Sequence, residues 1–249
     1  MSEHDNSANP EKQWGIVYKI GAWSSLILIV YSLITMIIVV FIGGAPESTQ
    51  EAFELLQENR IVGLLRLDAL TLFVIPLYYP LFLSIAVGLR KIQKGWVALG
   101  SLLAFAGITL FLATPSVFPL IPLSDRYAAA ITATQKEQLL AAGEALIASD
   151  MWHSTGPATG GFLMLIAALI LSFVMLKNPN FGKGTAIAGI LTNGFDLLRS
   201  IVTLFAPQVG VYIMIVAGPL YLVWFPLLAR DFLRLSRRSS KNQEVNHES

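Results

Sequence analysis

The chain has 249 residues, of which 55% are hydrophobic and only 13% are Asp, Glu, Lys or Arg, with a formal net charge of +1 and no cysteine. Near-neutral charge gives no footprint for nucleic acid, and the lack of cysteine removes disulfides, thiolate metal sites and thiol nucleophiles together. Average soluble domains carry about a quarter charged residues, and here the deficit is uneven. Gly21 to Pro46, Gly95 to Ser124 and Ser154 to Leu176 contain no charged residue at all. Uncharged apolar runs of about 18 residues or more read as membrane spans, because about 20 helical residues cross a hydrocarbon core about 30 Å thick.

In chain order, residues 1–13 are polar and read as a disordered N-terminus. Trp14, Tyr18 and Trp23 then sit where aromatic residues meet lipid headgroups, and a first span is expected over about 15–42. This run is too long for a cleavable signal core and reads as a retained span. Gly43 to Pro46 breaks it. A short external helix follows over about 46–60, with Glu47, Glu51, Glu54 and Glu58 on one face.

A second span is expected over 61–89, with Pro76 and Pro80 in its length. It ends in the basic turn Arg90, Lys91 and Lys94. The third span covers 96–118, and Pro115, Pro119 and Pro122 suggest an extended exit. A second external helical segment is expected over 124–149, capped by Ser124 and restarting at the capping-box pattern Thr134-x-x-Glu137. Spans four, five and six follow at about 156–176, 184–206 and 209–229. Gly156-Pro157 opens the fourth, where proline's missing N–H does no harm. Span six carries a basic extension to Arg238, and 239–249 reads as a disordered tail. The fold class expected is therefore all-α: a polytopic transmembrane helical bundle of six spans with two external helical segments.

Lys and Arg in the loops set the orientation. Twelve of the seventeen lie on the side that holds both termini, and Arg60, Arg126 and Lys136 lie on the other. Both ends are then cytoplasmic, and both external segments face outward. No Asn-x-Ser/Thr acceptor is present, which agrees with a bacterial cytoplasmic membrane.

Four ionisable residues fall within the expected spans: Arg66, Asp68, Asp196 and Arg199. Charges at membrane depth usually face inward and pair, because each costs at least about 2.5–3.5 kcal/mol near the bilayer centre. Asn193, Asp196, Arg199 or Ser200, and Thr203 form a stripe on span five, and Asp68 and Thr71 share a face of span two. The expectation is one buried cluster of Asp68, Arg199 and Asp196, with Asn193 and Thr71 beside it. With all three ionised it carries a formal −1, so a proton, a cation or Arg66 would complete it. Arg66 is expected to snorkel to the outer headgroups or to bond another helix. His153, at the mouth of span four, reads as an interfacial residue able to accept a proton. Helix-fixing charge pairs are the structural alternative for the whole cluster. The small-residue pairs Gly100-x-x-x-Ala104 and Gly156-x-x-x-Gly160 permit close helix packing.

No His, Cys or carboxylate set has metal-ligand spacing. There is no phosphate loop, dinucleotide fingerprint or Gly-x-Ser-x-Gly elbow. Neither a cofactor nor a metal is expected. The lipid bilayer is the expected partner, together with a small solute or ion bound between spans two and five beneath the 124–149 segment. A structural or partner-stabilising subunit is the alternative. An enzyme acting on lipid would have to draw on Asp68, Asp196 and His153.

Several stretches carry a family resemblance: Leu67-Asp68; Pro76 to Lys91, ending Gly-Leu-Arg-Lys; 123–130, Leu-Ser-Asp-Arg-Tyr-Ala-Ala-Ala; and 139–145, Leu-Leu-Ala-Ala-Gly-Glu-Ala. Leu171 to Asn193, with Phe181 and Gly189, and Leu222 to Leu235 belong with them. Over Trp14 to Arg238 the chain resembles a bacterial family of multi-span membrane proteins catalogued as a domain of unknown function. The resemblance implies a plasma-membrane location and supplies no catalytic residues.

Overall fold

The computed structural model describes residues 10–150 and 153–247, and these are helical with no strand among them. Helix α1 covers Pro10–Ile37 and closes in a π-helical turn, Ile38–Ile42. Gly43 ends it at φ 113°, a conformation open to glycine. The external helix expected over 46–60 is found at Thr49–Glu58, and the expected second span opens with a short helix of its own, Arg60–Arg66. Ser48 caps α2 (Thr49–Glu58) by accepting the Glu51 N–H. Asn59 then both ends α2 and caps α3 (Arg60–Arg66), accepting the Ile61 and Val62 N–H groups. An extended residue whose side chain replaces the missing backbone acceptors lets one helix stop and another start at once.

The second span is thus segmented. It continues as α4 (Thr71–Val74), a 3₁₀ turn (Ile75–Leu77) and α5 (Tyr78–Leu89). Pro76 lies in the 3₁₀ turn, consistent with the N–H a proline lacks. Gln93, at φ 46°, ends the basic turn before α6 (Lys94–Leu112).

In the second external segment, α7 (Leu120–Ala129) starts earlier than expected, with Pro122 in its first turn. Ser124 is not a cap there but a buried residue that donates to the Ile121 carbonyl. α8 (Ala133–Ala148) restarts two residues before the expected point. Its capping box is Thr132 with Gln135, not Thr134 with Glu137, because Thr132 is the residue with extended backbone. α9 (Thr155–Met175) and α10 (Lys183–Phe205) lie within one residue of their expected bounds. α11 runs unbroken from Pro207 to His247, past Arg238, where a disordered tail was expected. Pro10 to Gln13 are also helical, and residues 1–9 lie outside the described ones.

Six helical stretches are long and apolar enough to cross a membrane: Trp14–Ile42, Thr71–Leu89, Lys94–Leu112, Thr155–Met175, Lys183–Phe205 and Pro207–Ser240. Their outer faces are apolar, with Phe41, Leu102, Leu204 and Phe205 more than 60% exposed. Apolar surface on this scale is not left facing water; in lipid it is the solvated face. The chain is an all-α polytopic membrane protein.

The chain divides into two compact units. The first comprises residues up to 29, 77–104 and from 165 onward; the second comprises 30–76 and 105–164. In the second unit α2, α7 and α8 pack together around Ala52, Phe53, Leu56, Val117 and Leu120. Gly143 of α8 makes this fit, since a Cβ there would lie 2.4 Å from Thr49 Cγ2. Gln57 bonds Ser124 and Asp125, and Arg60 reaches Asp125 at 2.6 Å. Also in this unit, Gly107 of α6 and Gly160 of α9 meet backbone to backbone: a Cβ on either would be 2.5 Å from the other's carbonyl oxygen. In the first unit α10 and α11 pack along each other, and Gly100 of α6 meets Leu171 of α9.

Candidate functional site

The break between α3 and α4 positions Asp68. The Asp68 N–H donates to the Leu65 carbonyl and the Ala69 N–H to the Leu64 carbonyl. With Leu67 as the last half-helical residue, this is a Schellman ending. Asp68 therefore occupies the left-handed position, at φ 51°. Glycine or asparagine usually fills that position, because a side chain there crowds the following carbonyl. An aspartate in that conformation is placed for its carboxylate, since the backbone would accept glycine more easily.

That carboxylate is held by two hydroxyls. Tyr31 of α1 donates to Asp68 at 2.9 and 3.1 Å, and Thr71 donates to Oδ2 at 2.7 Å. The Tyr31 and Thr71 oxygens are also in direct contact. Thr71 is buried and Asp68 is half-buried. One turn along α1, the Thr35 hydroxyl is buried beside Tyr31. Among the described residues no ion pair involves Asp68. The Tyr31 and Thr71 hydroxyl protons thus serve four oxygen–oxygen contacts around a carboxylate that has no ion-pair partner among the described residues. When both protons point at Asp68, the Tyr31 and Thr71 lone pairs face each other with nothing positive between them.

Asp196 lies in the first unit and is differently provided for. Arg199 Nε donates to Oδ1 at 2.6 Å and the Tyr221 hydroxyl to Oδ2 at 2.9 Å. The remaining polar groups of the span-five stripe turn back on their own helix. Asn193 donates to the Gly189 carbonyl, Ser200 to Asp196 and Thr203 to Arg199. Asp68 and Asp196, expected in one cluster, each find their partners within their own unit. The first set is open in charge, and the second is closed.

Arg66 turns to the loop after α1. Its Nε donates to the Gly44 carbonyl at 2.8 Å and its guanidinium meets Glu51 of α2 at 2.7 Å. The Glu47 N–H, and next the Arg66 guanidinium, hold the Glu51 carboxyl below the usual glutamate range. His153 meets the buried Asp150 through Nδ1 at 2.9 Å.

A further carboxylate escapes sequence reasoning. Asp231 of α11 is fully buried. Its Oδ2 accepts the Gly182 N–H at 2.8 Å and the Thr185 hydroxyl at 2.6 Å, which caps the start of α10 from another helix. Arg234 lies 3.3 Å away and also donates to the Asn180 carbonyl at 2.7 Å. Asn178 and Asn180 both donate to the Gly88 carbonyl. The sequence signal was available: Asp231 stands three residues before Arg234, a spacing that suits a helical ion pair. Tyr31 and Tyr221 gave no comparable signal, since a tyrosine in an apolar run reads as interfacial or core.

Among the described residues no group of three or more His, Cys, Asp or Glu could hold a metal ion. The chain matches no family model, no curated protein and no solved structure.

Proposed function

We propose that this protein, with both termini in the cytoplasm of a bacterium and its cap of α2, α7 and α8 outside, binds a small monovalent cation at Asp68, as a sensor or transporter of that ion. Membership of the multi-span family it resembles is part of this proposal. The observation that carries it is the proton count at Tyr31, Asp68 and Thr71. The set has one formal negative charge, four converging oxygens and no basic partner among the described residues. A cation, or a third proton, supplies what is missing. Breaks in membrane helices serve this purpose elsewhere, because unwound backbone and side-chain oxygens can face an ion there.

The test is thermal melting of the purified protein in detergent, with lithium, sodium or potassium replacing choline at constant ionic strength. A ligand that binds only the folded state raises the midpoint with concentration. The wild type gains stability with at least one of these ions, and Asp68→Asn, which suits the same backbone conformation, does not. Identical responses of wild type and variant, or no response to any ion, would overturn the reading. The structural-subunit reading keeps one observation of its own, the closed Asp196–Arg199–Tyr221 set. Asp196→Asn is accordingly expected to lose stability in every salt while retaining the ion response.

A further inference from the structure

Near the end of the sixth stretch, past residues 209–229 where the span was expected, Arg230, Leu233, Arg234, Arg237 and Arg238 line a groove of about 380 Å³. Their spacing places all five on one face of α11. The opposite face, carrying Phe232, Leu235 and Ser236, is buried in the protein. Two of the arginines are steered from below: Arg230 and Arg234 lie 3.5 and 3.3 Å from the buried Asp231. Arg237 and Arg238 are exposed. With Asp231 counted, four cations and one anion share two helical turns.

The position of this stripe decides what it binds. Followed back along α11, the same face carries Val216, Pro219, Val223 and Pro226, all exposed. These belong to the apolar span, so their surface is turned to lipid. The groove is the direct continuation of a lipid-facing surface, with the exposed Leu233 in its middle. A soluble anion would need only the charges. A ligand with a phosphate and acyl chains would use the guanidiniums and the apolar face together. Guanidinium forks match phosphate oxygens in pairs, and arginines just beyond a span stand at headgroup level.

We propose that this groove is a binding site for an anionic phospholipid, with the phosphate among Arg234, Arg237 and Arg238 and the acyl chains against Val223 and Pro226. The site is independent of Asp68.

The full-length protein in detergent is titrated with phosphatidylglycerol or phosphatidylcholine, and bound lipid is counted by native mass spectrometry. Phosphatidylglycerol should bind in clear preference. The double variant Arg237→Gln/Arg238→Gln should weaken it about thirty-fold, from the contribution of each arginine near an anionic headgroup. Arg237→Lys/Arg238→Lys, which keeps the charge and loses the forks, should bind phosphatidylglycerol more weakly than wild type but more tightly than the glutamine variant, which separates loss of charge from loss of fold. Excess inorganic phosphate should displace little lipid. Equal binding of both lipids, unchanged binding by the glutamine variant, or full displacement by inorganic phosphate would each overturn the proposal, the last by making this a soluble-anion site.

Discussion

Replacing Asp231 with alanine should be among the most damaging single changes in the first unit. The carboxylate is fully buried and accepts from the Gly182 N–H and the Thr185 hydroxyl, at 2.8 and 2.6 Å. Hydrogen bonds to a charged group contribute about 1.5–3 kcal/mol each. Their loss also strips α10 of its cap and leaves Arg234 without its counter-charge. The sum, about 3–5 kcal/mol, agrees with the usual cost of removing one partner from a buried charge pair. Asp231→Asn keeps the volume and one acceptor but turns an amide N–H toward donors, so about half that loss is expected. The assay is unfolding in mixed micelles of increasing SDS fraction, followed by tryptophan fluorescence, to which Trp224, buried in the same unit, contributes. A cost below about 1 kcal/mol for the alanine variant would refute the reasoning, because a buried charge cannot be removed from its donors so cheaply.

Other expectations are as direct. Glu51 has its folded pKa below the ordinary glutamate value, so its contribution is full above that ordinary value and is lost as pH falls through the lower, folded one. Glu51→Gln should therefore melt lower than wild type at neutral pH, with the gap closing in acid; a gap independent of pH would contradict this. Gly160→Leu should cost about 1–3 kcal/mol through overpacking, because the Gly107 carbonyl lies 2.5 Å from where its Cβ would be; SDS unfolding checks it. Gln93→Gly relieves a left-handed residue at φ 46° and should stabilise the fold by about 1 kcal/mol in the same assay.

The spans were legible because lipid imposes one strong requirement, about 20 apolar residues per crossing, and α9 and α10 met it within a residue. The break at Asp68 was not. Leu64 to Leu67 carries no glycine or proline to mark a stop, and only the left-handed backbone at Asp68 ends the helix. The capping box was ambiguous for a similar reason. Thr132 with Gln135 and Thr134 with Glu137 both satisfy the pattern, and the choice between them depends on which threonine is extended. The candidate site was half legible. Asp68 and Thr71 were paired by helical spacing, but their third member, Tyr31, comes from a run whose only visible property was hydrophobicity. Asp196 and Arg199 were readable as an i,i+3 pair, whereas Tyr221 depends on how α10 and α11 pack. Asp231 was passed over because it sits in a basic stretch that counting assigns to solvent.

The natural absence of cysteine allows the central claim, six crossings with the cap outside, to be measured by single-cysteine labelling. Glu137→Cys on α8, Lys91→Cys in the basic turn and Leu102→Cys on the lipid face of α6 are each introduced into whole cells and treated with a membrane-impermeant maleimide. Glu137→Cys should label in intact cells, Lys91→Cys only after permeabilisation, and Leu102→Cys only after denaturation. Labelling of Lys91→Cys from outside would invert the orientation, and labelling of Leu102→Cys in the native protein would place water where this account requires lipid.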